Sequence, residues 1–127
     1  MQAISKGSRK NLSPVERLKR LIISELDAMD KYQDLVLIIY QESHAMNREV
    51  LLSLLRSERK HVAQYEKLIE EGIRKGLLKP VNVRMMANMI KMLIDTWVIK
   101  RWDLKGKVDL HEMKQGIVDT VFNGILA

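Results

Sequence analysis

Glu58 and His61 stand three residues apart in a stretch with helical periodicity. That Glu-x-x-His spacing sets a carboxylate and an imidazole on one helix face, as in the di-iron carboxylate bundles. Such a centre needs a second copy of the pair and two further inward glutamates. Glu42-Ser43-His44 has the wrong spacing and His111-Glu112 are adjacent, so the constellation stops at its first half. Arg59 and Lys60 mark the same stretch as a solvated face. The chain has no cysteine, which removes disulfides and thiolate metal sites. No Ser/His/Asp order, glycine-rich phosphate loop or paired acid and base stands out, and the six glycines sit at helix stops or seams. The expectation is a protein that is no enzyme and holds neither metal nor cofactor.

The elements that carry these residues read as five helices. Ser13-Pro14-Val15-Glu16 is a capping-box start, with Val15, Leu18, Leu21, Ile22, Leu26 and Met29 as one apolar stripe to about Lys31. Asp34 to about Ser43 is a shorter, almost wholly apolar helix. From about Asn47 to Lys75 a long helix follows, with Val50, Leu51, Leu54, Leu55, Val62, Tyr65, Leu68, Ile69 and Ile73 as its buried face. Gly76 supplies its left-handed stop and Pro80 forbids continuation. Asn82 caps the next helix, Val83 to Trp102, and Asp109 with Glu112 forms a capping box for the last, Asp109 to Leu126. With no strand signal, the fold class is all-α, a five-helix bundle.

The last two helices are apolar over more than one face. Arg84, Asn88, Lys91 and Asp95 form one narrow polar strip on the fourth, whereas an ordinary surface helix has an apolar stripe somewhat over 100° wide. The fifth carries Gly116, Thr120 and Gly124 as a small-residue row beside Met113, Ile117 and Val121. One side of each helix fits the chain's own core, and the other wants a second molecule. Those six residues are therefore the expected dimerisation surface.

Composition sets the outer limits. A chain of 127 residues with 46% hydrophobic content fits one domain with a real core. The 30% charged residues, and the lack of an apolar run of about 18, argue against a membrane span. No apolar signal region opens the chain, so a cytoplasmic location is expected. Of the net charge of +6, most sits at the start, where the first twenty residues hold six Lys/Arg against Glu16 alone. No aromatic residue stands there to stack a base, so a solvated linker fits that segment better than a nucleic-acid contact.

Three stretches together resemble a known family: Tyr32-Gln-Asp-Leu-Val-Leu-Ile-Ile-Tyr-Gln-Glu42, then Glu58 to Gly76 with its Glu-Gly-Ile-Arg-Lys-Gly ending, then Val83-Arg-Met-Met-Ala-Asn-Met-Ile. They are similar to the C-terminal regulatory domain of TetR-family transcriptional regulators, and the likeness runs from Ser13 to Leu126. It implies an effector-sensing domain over residues 13–127 that homodimerises through its last two helices as a four-helix bundle. Residues 1–12 would be a frayed start or the end of a connecting helix. The family's helix-turn-helix DNA-binding domain of about 50 residues has no counterpart here. Operator DNA would thus be bound only by an intact, longer repressor.

The resemblance also implies a pocket among the middle helices for a hydrophobic or amphipathic small molecule that shifts the spacing of the two DNA-binding units. Its candidate lining is Met29, Ile39, Tyr40, Tyr65, Met86, Met89, Leu93 and Trp97, with Ser43, His44 and Gln64 as polar anchors. Methionine walls suit flexible apolar ligands such as acyl chains. A plainer reading stands beside each. Methionines and aromatics at helical spacing more often fill a core. His44, between an apolar run and a turn, fits the surface, and Asp95 fits a solvated or interface ion pair with Asn88 and Lys91. Trp97 and Trp102 cannot point the same way, so one should pack and the other lie near the helix end. A purely structural dimeric bundle without a ligand is the alternative function.

Overall fold

The structure is a computed structural model that describes residues 12–127. The expected frayed start over residues 1–12 lies outside them except for Leu12. Five long helices form the bundle: α1 Pro14–Lys31, α2 Gln33–Glu42, α3 Arg48–Arg74, α4 Val83–Ile99 and α6 Leu110–Ile125, with a single turn, α5 Arg101–Leu104, before the last. A 3₁₀ turn, Ser43–Ala45, joins α2 to α3. Among the described residues there is no strand, only an isolated antiparallel bridge between Leu78 and Leu126.

The helix starts follow from capping chemistry. The Ser13 hydroxyl accepts from Glu16 N at 3.2 Å, with Pro14 at the first helical position. Asn47 accepts from Val50 N and Asn82 from Met85 N, both at 2.9 Å. At α6 both halves of the capping box form, Asp109 accepting from Glu112 N and Glu112 from Asp109 N. Each such cap satisfies an amide that the helix itself leaves orphaned, for about 1 kcal/mol. The fourth helix ends sooner than its apolar pattern predicts: it stops at Ile99, and the chain turns at Lys100 before α5.

Gly76, at φ +73°, ends α3 in the left-handed region. The turn that follows folds Leu78 onto the bare backbone of Gly72, where an added Cβ would lie 2.6 Å from Leu78 Cδ1. Lys79 N donates to Ile125 O at 2.8 Å and Ala127 N to Leu77 O at 3.1 Å, so the end of α6 is tied to the α3–α4 loop.

The core is built by one stripe from each of α1, α3, α4 and α6. Leu18, Ile22, Leu26, Tyr65, Ile69, Ile90 and Ile94 are fully buried, and Ile117, Val121, Phe122 and Ile125 close the core from α6. Each such aliphatic side chain contributes roughly 1.5–3 kcal/mol relative to exposure. Ion pairs lace the outside, with Lys114 2.6 Å from Asp27 and Arg17 2.7 Å from Glu71.

One region departs from this pattern. None of α2's ten residues is buried, despite its Leu-Val-Leu-Ile-Ile run, and Leu35 and Ile38 are more than half exposed. In α3, burial starts only at Val62; Val50 and Leu55, expected in the buried face, are exposed. The cause is layout: α2 packs at the edge of α4, leaving the first half of α3 without a full layer over it.

Candidate functional site

Beneath α2 the bundle holds charge instead of hydrocarbon. Lys91 and Asp95 sit one turn apart on α4, at 5% and 6% exposure, so the polar strip of this helix faces inward at these two positions. The reading of Asp95 as a solvated or interface ion pair with Asn88 and Lys91 is therefore corrected. The helical period that turns Ala87, Ile90, Ile94 and Val98 to the core carries Lys91 and Asp95 in beside them.

Lys91 Nζ lies 2.9 Å from Glu25 Oε2 of α1 and 3.8 Å from Glu58 Oε2 of α3. Glu25 Oε2 also accepts from the Tyr65 hydroxyl of α3 at 3.1 Å. Asp95 Oδ2 accepts from the Tyr40 hydroxyl of α2 at 2.6 Å. Two polar clusters one turn apart on α4 thereby tie the helices together: Glu25, Glu58, Tyr65 and Lys91 join α1, α3 and α4, while Tyr40 and Asp95 join α2 to α4, and the Lys91 and Asp95 charges act on each other. At the other end of α2, Arg101 Nη1 holds Asp34 at 2.6 Å. With no buried residue of its own, α2 is clasped to the bundle by polar contacts at both ends.

Burial shapes the acid–base properties of these groups. It pushes the Tyr65 and Tyr40 hydroxyls far above the ordinary phenol range, and their carboxylate partners push the same way. For Lys91, burial is the largest single influence and favours the neutral amine, but Glu25, Glu58 and Asp95 together outweigh it and hold the ammonium above its usual range. For Asp95, burial wins over the Tyr40 hydrogen bond and the Lys91 charge, so its carboxyl sits above the usual carboxylate range.

The structure divides the expected pocket lining into separate places. Tyr40 and Tyr65 belong to these clusters. Trp97 lies on the opposite flank of α4, donating its indole N–H to Asp30 Oδ1 at 3.0 Å, and Met86, Leu93 and Met29 are half-buried against the core. Met89 is on neither side: with Met85 and Met92 it forms an outward row, each about half exposed. Ile39 and Ser43 are half-buried, His44 is exposed in the 3₁₀ turn, and Gln64 lines an outer groove of about 730 Å³ between α1 and α3. The two tryptophans divide as expected, Trp102 being 76% exposed.

The six expected dimer residues also divide. Ile117 and Val121 pack in the chain's own core, Met113 is half-buried, and Gly116, Thr120 and Gly124 face out. The metal alternative gains nothing: Glu58 pairs with Lys91, His61 is exposed, and no three His, Asp or Glu residues converge as ligands among the described residues. Sequence reasoning missed Glu25, Glu58, Lys91 and Asp95 as partners. The available signal was the spacing of Lys91 and Asp95 beside Ile90 and Ile94, because two charges inside a core stripe must find counter-charges.

Compared with protein families, residues 11–125 match the model of the tetracyclin repressor-like C-terminal domain. The chain belongs to that family. Curated proteins and solved structures yielded no match to the chain. Tetracyclin repressor-like C-terminal domains are in general the ligand-sensing and dimerising parts of regulators, and the all-helical bundle described above agrees with that assignment. No helix among the described residues is long and apolar enough to cross a membrane.

Proposed function

We propose that this domain senses a hydrophobic or amphipathic small molecule and forms a homodimer through α4 and α6, within a cytoplasmic transcriptional repressor whose operator DNA is bound by a helix-turn-helix segment beyond these residues. The role is regulatory and not catalytic. The carrying observation is the lightly anchored α2 over a buried polar network. A ligand that enters beneath α2 meets exposed apolar side chains and must displace or join the Tyr40–Asp95 bond. Because Lys91, one turn from Asp95 on α4, is paired with Glu25 of α1, such a ligand has a physical route to the start of the domain. It acts by differential affinity for two arrangements.

Support for the dimer comes from two glycines the single chain does not need. Added Cβ atoms at Gly116 and Gly124 meet nothing within 4 Å, while a glycine inside a helix costs about 1 kcal/mol relative to alanine. Close approach of a second helix gives them a purpose, and the Met85, Met89 and Met92 row on α4 supplies apolar area for the partner. Gly124→Glu is expected to give a folded monomer, read by sedimentation velocity and circular dichroism. An unchanged dimer would move the interface elsewhere. The sensing half is tested by native mass spectrometry of the chain: a retained organic mass supports it, and a bare dimer that no hydrophobic compound stabilises against heat favours the ligand-free structural bundle.

A further inference from the structure

We infer that the outer groove between α1 and α3 is a second binding site, apart from the space beneath α2, and that it takes a phosphate monoester with an apolar body. This does not depend on the effector-sensing reading, since the groove shares no lining residue with the clusters around Lys91 and Asp95.

Three observations meet in this groove, and the first is an unsatisfied donor. Arg17 lines the groove, and its Nε is shut off from solvent with no acceptor, the only buried side-chain nitrogen or oxygen in that condition among the described residues. Buried N–H groups are nearly always hydrogen-bonded, because an unpaired one has lost its water without replacement. Arg17 Nη2 is held by Glu71 at 2.7 Å, so the guanidinium is fastened at one edge and idle at the other. An oxyanion in the groove supplies the missing acceptor, in the two-pronged geometry that guanidinium groups make with phosphate. Glu71 is not stranded if Arg17 leans toward such a ligand, because it also accepts from Lys75 Nζ at 3.3 Å.

The second observation is charge. Of the ionic groups in the lining, Asp27 is neutralised by Lys114 at 2.6 Å and Arg17 by Glu71. Arg20 and Lys67 remain, and neither pairs with a carboxylate among the described residues. Two uncommitted positive charges match a phosphate monoester, which carries about −1.5 to −2 near neutral pH, better than they match a carboxylate. A cationic ligand is repelled by both. Ser24 and Gln64 stand in the same lining as neutral donors.

The third observation is size and apolar surface. The groove holds about 730 Å³, within the roughly 300–1,000 Å³ of small-molecule sites. Leu21, Ile23 and Leu68, half-buried in its lining, offer hydrocarbon to the body that carries the phosphate. A bare phosphate ion leaves that surface unused.

The test titrates 1-naphthyl phosphate, 1-naphthoate, 1-naphthylmethylammonium and inorganic phosphate calorimetrically into the full chain at low salt. The phosphate ester is expected to bind about tenfold more tightly than the carboxylate and than inorganic phosphate, and the ammonium not to bind. A net charge of +6 attracts anions to the whole surface, so variants must locate the site. Arg20→Gln and Lys67→Gln should each weaken the ester by about threefold or more, whereas Lys105→Gln, the same loss of charge outside the groove, should leave it unchanged. Arg17→Lys keeps the charge but removes the Nε–H edge, and should weaken the ester by about tenfold. Should Arg17→Lys fail to fold, the Arg20 and Lys67 variants decide, since both side chains are exposed. Equal binding of the carboxylate, the ammonium or inorganic phosphate overturns the inference. So does a folded Arg17→Lys that binds like the parent, a loss in Lys105→Gln equal to that in the groove variants, or no saturable binding of the ester. None of these outcomes touches the effector reading, whose site lies beneath α2.

Discussion

Residues Arg48 to His61 and Val62 to Arg74 belong to one uninterrupted helix, α3, yet they live in different surroundings. The second half buries Val62, Tyr65, Ile69 and Gly72 against α1 and α4, while the first buries none of its residues. Both halves carry leucines or isoleucines at helical spacing. What differs is the neighbour: the second half faces a stripe of Leu18, Ile22, Leu26, Ile90 and Ile94, whereas among the described residues no helix covers the first, and α2, itself unburied, packs on α4 instead. The lesson is that the closed end of the bundle is packed by complementary stripes, while the open end keeps apolar surface uncovered above buried polar pairs. Low local burial is the physical content of a region poised to move.

The contrast makes ordered predictions. Ile69→Ala at the closed end should cost about 3–4 kcal/mol of stability, since it leaves a cavity in a fully packed site. Leu55→Ala at the open end should stay within roughly 0.5 kcal/mol. Urea unfolding of the two variants measures both, and similar losses would erase the division between the ends. Lys91→Met tests the network that lies between them. It should cost about 2 kcal/mol because the half-buried Glu25 is left without its ammonium, and adding Glu25→Gln should recover part of the loss. If Lys91→Met is neutral, the network is not the buried structure described above.

A smaller effect is expected from Tyr40→Phe, which removes one clasp of α2. Global stability should fall by about 1 kcal/mol, while amide hydrogen exchange in Gln33–Glu42 accelerates and that of α1 stays protected. Uniform acceleration through the bundle would mean that α2 does not open by itself.

The smallest effect concerns pH. Asp95's folded pKa lies above its unfolded value, so the folded state holds a proton that the unfolded chain has released. That contribution to stability is present below an unfolded pKa of about 3.9 and is lost as pH rises through the folded value. Asp95→Asn should therefore have a higher melting temperature than the parent at pH 7, and the gap should close as the medium is acidified. A variant less stable at neutral pH would show that the carboxylate's charge is favourable where it sits. Lys91, also raised, adds a second loss at the alkaline end, above about pH 10.4.

Much of this molecule was legible from local pattern. Ser13, Asn82 and Asp109 announced their helices because a capping side chain acts on amides three residues away, and Gly76 announced its stop because few other residues adopt positive φ; the Asn47 cap appeared only in the structure. The site was legible only in pieces. Tyr40 and Tyr65 were picked out as ligand candidates, but Trp97, Met89 and His44 were grouped with them although they point to the opposite flank of α4, to its outer row and to solvent. Hydrophobic type says that a residue prefers to be covered and does not say by what.

The sequence by itself determined the five long helices, their order, their capped starts and membership in the family, since each of these depends on residues close in the chain or on a linear match. Tertiary structure alone decided that Lys91 and Asp95 turn inward and that α2 stays uncovered. It also decided that Glu25, 66 residues before Lys91, becomes its partner. A buried charge is tolerated only where distant parts of the chain bring compensating groups to it, and that condition is met by packing in three dimensions and not by any local pattern.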